Sequence, residues 1–190
     1  MPKQRITKEN VVDAAFELVR SGGMEQITVK AIAEKIGCSV QPIYSYCNNM
    51  EGLRQDVIAK TRLFIRDYVA ARIGEGDPFS GTGRAYLAFS KEEPHLFRLF
   101  ILHRRDGIAS LDDLYRSETD PRMAEQIAEK LKISVPQAKK LHLNMLIYTM
   151  GIGAIFSVTS PGIKAEEVYE YQEMAYRAFL SQIAENTEEF

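Results

Sequence analysis

A recurring pattern of helix-start and helix-stop residues constrains the fold of this chain more than any other feature of its sequence. Thr7 and Thr28 each follow an isoleucine and precede apolar residues at helical spacing, the arrangement of an N-cap with a hydrophobic staple. Gly22-Gly23 and Gly37 follow these two segments and predict their ends. No segment alternates apolar and polar residues convincingly, as a half-buried strand does. The sequence therefore predicts an all-α protein.

The same signals predict the remaining helices. A third, short helix is capped by Ser39 and runs to about Tyr46. Gly81 and Gly83 are interpreted as part of an interhelical loop. A fourth helix is capped by Asn48 or Asn49 and ends at Gly74. Further helices are predicted at Arg84–Ser90, Pro94–His103 and Ala165–Glu185. Asp120-Pro121 opens one more helix, and a Ser134–Gln137 capping box opens another, which Pro161-Gly162 ends.

Composition and charge allow one compact unit or two small ones. The 190 residues are 45% hydrophobic, enough for a core, and the net charge of −2 provides no overall basic field for nucleic acid. The first 66 residues carry a net charge of +3 and the remainder −5. Any contact with nucleic acid must therefore be local.

Catalytic and metal-binding motifs are missing from the sequence. It contains no phosphate-binding Walker A loop, no glycine fingerprint at dinucleotide spacing and no HExxH. Cys38 and Cys47 have neither the spacing of a zinc site nor the number expected of a disulfide framework, and a redox pair is left as a minority alternative. We expect no catalytic residue, no metal site and no cofactor.

A membrane role is not expected either. The 23 uncharged residues between Lys140 and Lys164 are interrupted by polar side chains such as His142 and Asn144, so they predict a largely buried helix rather than a membrane span. No apolar run follows the charged start of the chain, as a secretory signal requires. These features favour a cytoplasmic protein without a membrane partner.

Two predicted helices joined by the turn Gly37-Cys38-Ser39 have the arrangement of a helix-turn-helix DNA-binding unit. At 100° per residue, one side of the third helix gathers Val40, Ile43, Tyr44 and Cys47, and the other side gathers Gln41, Pro42, Ser45 and Tyr46. The second side is polar and uncharged. Gln can bind adenine bidentately and Tyr can donate to phosphate, so this side suits a major groove. The alternative is an ordinary solvated helix face.

The stretch from Thr28 to Tyr46, within a match from Thr7 to about Leu53, resembles the TetR/AcrR family of transcriptional regulators, whose recognition helix commonly ends in an aromatic pair like Tyr44 and Tyr46. The resemblance implies an N-terminal three-helix helix-turn-helix domain at residues 1–50 and a C-terminal helical ligand-binding and dimerisation domain at 51–190. It further implies phosphate or backbone contacts from Thr28, Lys30, Tyr44 and Tyr46, base contacts from Gln41 and Pro42, and a DNA-facing position for Ser39 and Ser45.

Two positions depart from the family pattern. Cys47 stands where Phe is usual, and Met50 where a backbone-contacting Lys is frequent, which puts the strength of DNA binding in doubt. Residues 84–100 also resemble a ligand-domain variant named for a Trp-His-Gly motif, of which Thr149-Met150-Gly151 would retain only the glycine.

The function implied by the resemblance is that of a repressor on a double-stranded, pseudo-palindromic operator, released by a small apolar or aromatic effector. The apolar residues of the last two helices and the resemblance together predict a homodimer. A helical binding or interaction protein with a purely structural N-terminal segment is the alternative, and an enzyme comes third.

A surplus of aromatic side chains with a few polar groups predicts a ligand pocket in the C-terminal part, although a filled core has the same composition. The candidate lining residues are Tyr86, Phe89, Phe97, Phe100, His103, Asn144, Met145 and Tyr148.

Overall fold

The computed structural model describes residues 6–47, 49–72, 78–159 and 162–185, and within these ranges it contains ten α-helices, one 3-10 turn and no strand. The all-α prediction is confirmed. The helices are α1 Lys8–Gly22, α2 Val29–Ile36, α3 Val40–Cys47, α4 Met50–Ala70, α5 Pro78–Glu92, α6 Pro94–Leu102, α7 Leu111–Glu118, α8 Met123–Leu131, α9 Val135–Phe156 and α10 Ala165–Glu185.

The chain divides into two compact units. The first comprises Met1–Ala71 with Phe89–His103, and the second Arg72–Ala88 with Arg104–Phe190. The first unit includes α4 and α6 because both helices pack on α1. This grouping by contacts differs from the functional division at residue 50, which stays a prediction.

The predicted caps of α1 and α2 are confirmed. The Thr7 hydroxyl accepts from the Asn10 backbone N–H, and the Asn10 side chain accepts in return from the Thr7 N–H. Thr28 caps α2 by accepting from the Ala31 N–H. Gly37 ends α2 at φ 78°, a left-handed conformation that glycine adopts without steric cost. These contacts set the two ends of the helix that precedes the turn into α3.

Aromatic side chains fill much of the core of the first unit. Phe16 meets Phe64 edge to face with ring centroids 5.5 Å apart, and Phe89 lies 6.4 Å from Phe97. Arg20 at the end of α1 forms a forked hydrogen bond with the Glu93 carboxylate and lies over the Phe64 ring. The pairing of α1 with the α5–α6 corner is thus both apolar and ionic.

The second unit is built around α9, which packs on α8 and α10. Its predicted capping box is confirmed, since Ser134 and Gln137 exchange hydrogen bonds with each other's backbone N–H groups. Leu141, Met145 and Ile183 form one buried cluster between α9 and α10. A second cluster joins α5, α9 and α10 through Leu87, Phe156 and Val168.

Four local predictions are wrong. Gly81 and Gly83 lie inside α5 instead of a loop, Asp120-Pro121 form a turn before α8, and α7 was not predicted although Ser110 caps it. The Asp120 carboxylate accepts from the Arg122 N–H, so it organises the turn while the helix itself begins at Met123. The long helix α9 ends at Phe156, before the expected stop at Pro161-Gly162, which lies partly outside the described residues.

The prediction that α9 is buried on most of its sides is confirmed except along one exposed stripe. Ile147 and Ile155 are 46% and 60% exposed, and Gly151 between them is exposed as well. No helix among the described residues is long and apolar enough to cross a membrane.

Candidate nucleic-acid interface and ligand cavity

The position of α3 depends on one apolar anchor. Ile43 is completely buried, and α3 packs on α1, α2 and α4. The turn before it is tied to α2 by the Cys38 N–H, which donates to the Ala33 carbonyl oxygen. Gln41, Pro42 and Ser45 are exposed, as predicted. The helix is therefore held along a narrow stripe and presents most of its surface outward.

The predicted inward side of α3 is wrong at two positions. Val40 is 40% exposed and Tyr44 is 53% exposed, and among the α3 side chains that the structure describes Ile43 is the buried one. The Cys47 side chain lies outside the described part of the structure. At helical spacing, Tyr44 stands on the same exposed face as Gln41 and Ser45. This placement agrees with the DNA-backbone contact that the family resemblance implies for Tyr44.

Two hydroxyl groups of the predicted DNA-binding surface donate hydrogen bonds to backbone carbonyl oxygens of the protein itself. The Tyr46 hydroxyl donates to the Ile6 carbonyl oxygen at 2.9 Å, and the Ser45 hydroxyl donates to the Pro42 carbonyl oxygen at 2.7 Å. The Thr28 hydroxyl, in contrast, accepts from Ala31 as the α2 cap and keeps its own proton as a donor. Thr28 thus retains a group that suits phosphate, whereas the donors of Ser45 and Tyr46 are already used.

The lysines Lys8 and Lys60 of α1 and α4 are paired with acids, but those of α2 are not. Lys8 lies 2.7 Å from Asp56, and Lys60 pairs with Asp13. Among the ion pairs of the described residues, none includes Lys30 or Lys35, which are both exposed. The positive charge left for phosphate is therefore concentrated on α2. Ser39 is exposed in the turn beside it.

A cavity lies in the second unit, lined by side chains of α5, α9 and α10. Two predicted lining residues, Tyr86 and Met145, are among them. The full lining comprises Thr82, Gly83, Arg84, Tyr86, His142, Met145, Leu146, Thr149, Met150, Tyr169, Gln172, Glu173 and Tyr176.

The other six predicted lining residues do not line this cavity. Phe89, Phe97, Phe100 and His103 belong to the first unit, where the three phenylalanines are buried in its core. Phe97 and Phe100 are buried because α6 packs on α1 and α4, and Phe89 at the end of α5 lies against Phe97. Asn144 and Tyr148 belong to the second unit but lie outside this lining, and the Tyr148 hydroxyl donates to the Tyr171 carbonyl oxygen.

The cavity has polar groups that sequence reasoning missed. His142 Nδ1 lies 2.9 Å from the Tyr115 hydroxyl, and burial lowers the pKa of His142 to about 4, so the ring is neutral at pH 7. The Gln172 amide donates to the Thr149 hydroxyl at 3.1 Å. Helical spacing is the sequence signal that could have identified the lining residues. Lining residues recur along α9 at 142, 145, 146, 149 and 150, and along α10 at 169, 172, 173 and 176.

No group of three His, Cys, Asp or Glu side chains within the described residues could hold a metal ion.

Comparison with known proteins points to one family. Residues 11–57 match the family described as bacterial regulatory proteins, tetR family. The chain is 26% identical to the class D tetracycline repressor protein of Escherichia coli over 103 residues, which are 54% of this chain and 43% of that protein. It is also 26% identical to the HTH-type transcriptional regulator BetI of Escherichia coli over 152 residues, 66% of this chain and 78% of BetI.

A solved structure extends the likeness to nearly the whole fold. A TetR-like transcriptional regulator from Rhodococcus sp. RHA1 superposes with a TM-score of 0.64 at 17% sequence identity, covering 94% of this chain and 98% of that one. The chain spans less than half of the length of the tetracycline repressor that it matches. The matching segment contains the α2–turn–α3 surface, and the relatives are transcriptional regulators and not enzymes. Residues 11–57, which contain this surface, are thus similar to the tetR family of bacterial regulatory proteins.

Proposed function

We propose that the protein is a cytoplasmic transcriptional repressor that binds a pseudo-palindromic operator as a homodimer and is released by a small-molecule effector. The observation that carries this proposal is the exposed face of α3. Gln41 and Tyr44 lie on it, α2 beside it carries the exposed Lys30, and the face itself contains no acid. Such a surface attracts phosphate and has an amide with which to recognise a base edge.

The proposed contacts fall into two classes. Gln41 and Pro42 face base edges, and Thr28, Lys30, Ser39 and Tyr44 face the backbone around them. Ser45 and Tyr46 act mainly within the protein, because their hydroxyls donate to Pro42 and Ile6. Few cations take part, so we expect a modest dependence of affinity on salt.

The proposed dimer uses the exposed apolar face of α9 and α10. Ile147, Gly151 and Ile155 recur every four residues on α9, and Tyr171 and Met174 are more than half exposed on α10. A two-fold pairing of these helices would bury this surface in a four-helix arrangement. It would also present two copies of α3 to successive major grooves, which is the reason to expect a palindromic target.

The effector site in this proposal is the cavity between α5, α9 and α10. If an occupied cavity favours a dimer geometry that fits the operator poorly, then ligand and DNA must weaken each other's binding by the same factor. Because the effect is reciprocal, release can be measured either as weaker DNA binding with ligand present or as weaker ligand binding with DNA present.

The test is a binding experiment on selected DNA. The full chain is used to select duplexes from a random pool, and the affinity for the selected duplex and its scrambled version is measured by fluorescence anisotropy at several salt concentrations. We expect a symmetric selected sequence, tighter binding to it than to the scrambled duplex, and affinities that fall with salt on both. If no duplex binds in a salt-dependent way, the protein is a helical binding module whose N-terminal segment is structural.

A further inference from the structure

The walls of the cavity in the second unit are aromatic and sulfur-rich. Tyr86, Tyr169 and Tyr176 supply three rings, and Met145 and Met150 supply two thioethers. Flat rings and polarizable sulfur pack well against another aromatic ring. The volume of the cavity is about 70 Å³. This is well below the roughly 300–1,000 Å³ of sites that bind drug-sized molecules. Both features suit a small planar molecule.

The wall of the cavity contains the buried side-chain amide of Gln172. Gln172 is only 6% exposed, and its amide nitrogen donates to the hydroxyl of Thr149, which is 7% exposed. A glutamine amide has two N–H donors and a carbonyl oxygen with two lone pairs. The bond to Thr149 uses one donor. The second N–H and the carbonyl oxygen remain available to a molecule in the cavity.

Gly83 lies against this amide. A Cβ atom on Gly83 would lie 2.2 Å from the Gln172 amide nitrogen, so a side chain at that position would force the end of the Gln172 side chain to shift. Thr149 holds the amide from the side of α9. Gln172 is therefore held between α5 and α9, which reduces the entropy that it loses when it binds a ligand.

The two charged residues of the lining, Arg84 and Glu173, already interact with other groups, and the rest of the lining is neutral. The neutral His142 ring contributes no charge, and burial, with a smaller effect of Glu118, raises the pKa of Tyr86, so its phenol stays protonated. The Glu173 carboxylate accepts from Arg177 at 3.1 Å. Arg84 is exposed and lies over the Tyr169 ring. A charged ligand would lose its hydration without compensation inside, which is costly.

We propose that this cavity binds a neutral, single-ring aromatic molecule that carries a carboxamide or a similar donor–acceptor group, and that the Gln172 amide recognises that group. This inference rests on the proposed function in one respect, since it makes this molecule the effector. The geometry itself concerns only the cavity.

The test compares three probes of similar size and different charge. Benzamide, benzoate and benzylammonium are titrated into the full chain without DNA, and their dissociation constants are measured by ligand-observed NMR at pH 7. We expect benzamide to bind about tenfold more tightly than either ion. Tighter binding of benzoate would indicate that Arg84 dominates, and tighter binding of benzylammonium that Glu173 does. Either result, or no saturable binding of benzamide, would overturn the proposal.

The role of Gln172 is tested with a near-isosteric variant. Gln172→Met removes the donors and the acceptor, and we expect it to weaken benzamide about tenfold while changing the affinities of the two ions little. Gln126→Met, at an exposed position on α8, is the matched control and should leave all three unchanged. Equal benzamide affinity in both variants would refute recognition by Gln172. If Gln172→Met does not fold, the order of the three probe affinities in the unaltered chain still tests the proposal.

Failure of the two proposals is distinguishable. Absence of operator binding in the anisotropy experiment counts against the regulator and leaves the probe order untouched. Benzamide binding that does not change operator affinity supports the cavity proposal and contradicts its role in release.

Discussion

The hydroxyl of Tyr46 donates a hydrogen bond to the backbone carbonyl of Ile6, 40 positions earlier in the chain. This bond joins the last turn of α3 to the residue that precedes the Thr7 cap of α1. Tyr44, two positions away, is 53% exposed and faces outward. The aromatic pair that the sequence presents as one feature is thus divided between a structural and an outward-facing role.

This division predicts different consequences for two matched substitutions. Tyr46→Phe removes the bond to Ile6 and should lower the free energy of unfolding by about 0.5–1.5 kcal/mol. Tyr44→Phe removes an exposed hydroxyl, so it should leave stability unchanged and weaken DNA binding. Urea denaturation and anisotropy on the selected duplex measure the two effects. Equal loss of stability in both variants would contradict the assignment.

Gln41 and Lys30 should affect DNA binding in different ways. Gln41→Ala should cost about 1–3 kcal/mol on the selected duplex and relax the preference at one base position. Lys30→Ala should weaken all duplexes alike and make the salt dependence shallower by roughly one unit of slope. Salt titrations on selected and scrambled duplexes separate the two. A Gln41→Ala effect of the same size on both duplexes would count against base recognition.

The exposed apolar face of α9 predicts that a charged residue placed on it will disrupt the proposed dimer. Ile155→Glu should convert the dimer to a monomer at micromolar concentration, because a carboxylate would be desolvated at the centre of the proposed interface. Leu102→Glu is the control, since Leu102 is 75% exposed and lies in the other unit. Sedimentation velocity reports the result. An unaltered chain that sediments as a monomer would remove the basis of the dimer proposal.

The close approach of Gly83 to Gln172 predicts a coupled pair of substitutions. Gly83→Ala should destabilise the protein by about 1–3 kcal/mol, because the new Cβ would displace the Gln172 amide from its bond with Thr149. In a Gln172→Ala background the same change should cost much less, because the atoms that the new Cβ meets are gone. A thermodynamic cycle from chemical denaturation gives the coupling. Additive effects would indicate that the Gln172 side chain moves aside without cost.

The partly buried His142 predicts a pH dependence of stability. Its pKa is about 4 in the folded protein, below the ordinary 6.5, so the unfolded chain binds a proton between these values and the folded one does not. Its contribution is therefore present above about pH 6.5 and is lost as the pH falls toward 4, by up to about 3 kcal/mol. The free energy of unfolding, measured from pH 7 to 4.5, should fall less steeply for His142→Gln. Equal slopes would show that the ring is not kept neutral.

The sequence by itself determined most helix starts and the turn before α3. The reason is that these features are local. Thr7, Thr28 and Ser134 bond to backbone groups three residues away, and Gly37 adopts its left-handed conformation at one position. Such interactions need no distant part of the chain, so spacing and residue type are enough to predict them.

Which faces are buried was decided only by the tertiary structure. Val40 and Tyr44 are exposed, whereas Ile43 is the buried residue among the described side chains of α3. Phe97 fills the first unit because α6 packs on α1 and α4, and Phe89 at the end of α5 packs against Phe64, Tyr68 and Phe97. Gly83 lies inside a helix, where α10 brings Gln172 against it. Burial depends on partners far away in the sequence, and helical periodicity indicates that a face is apolar without saying which partner covers it.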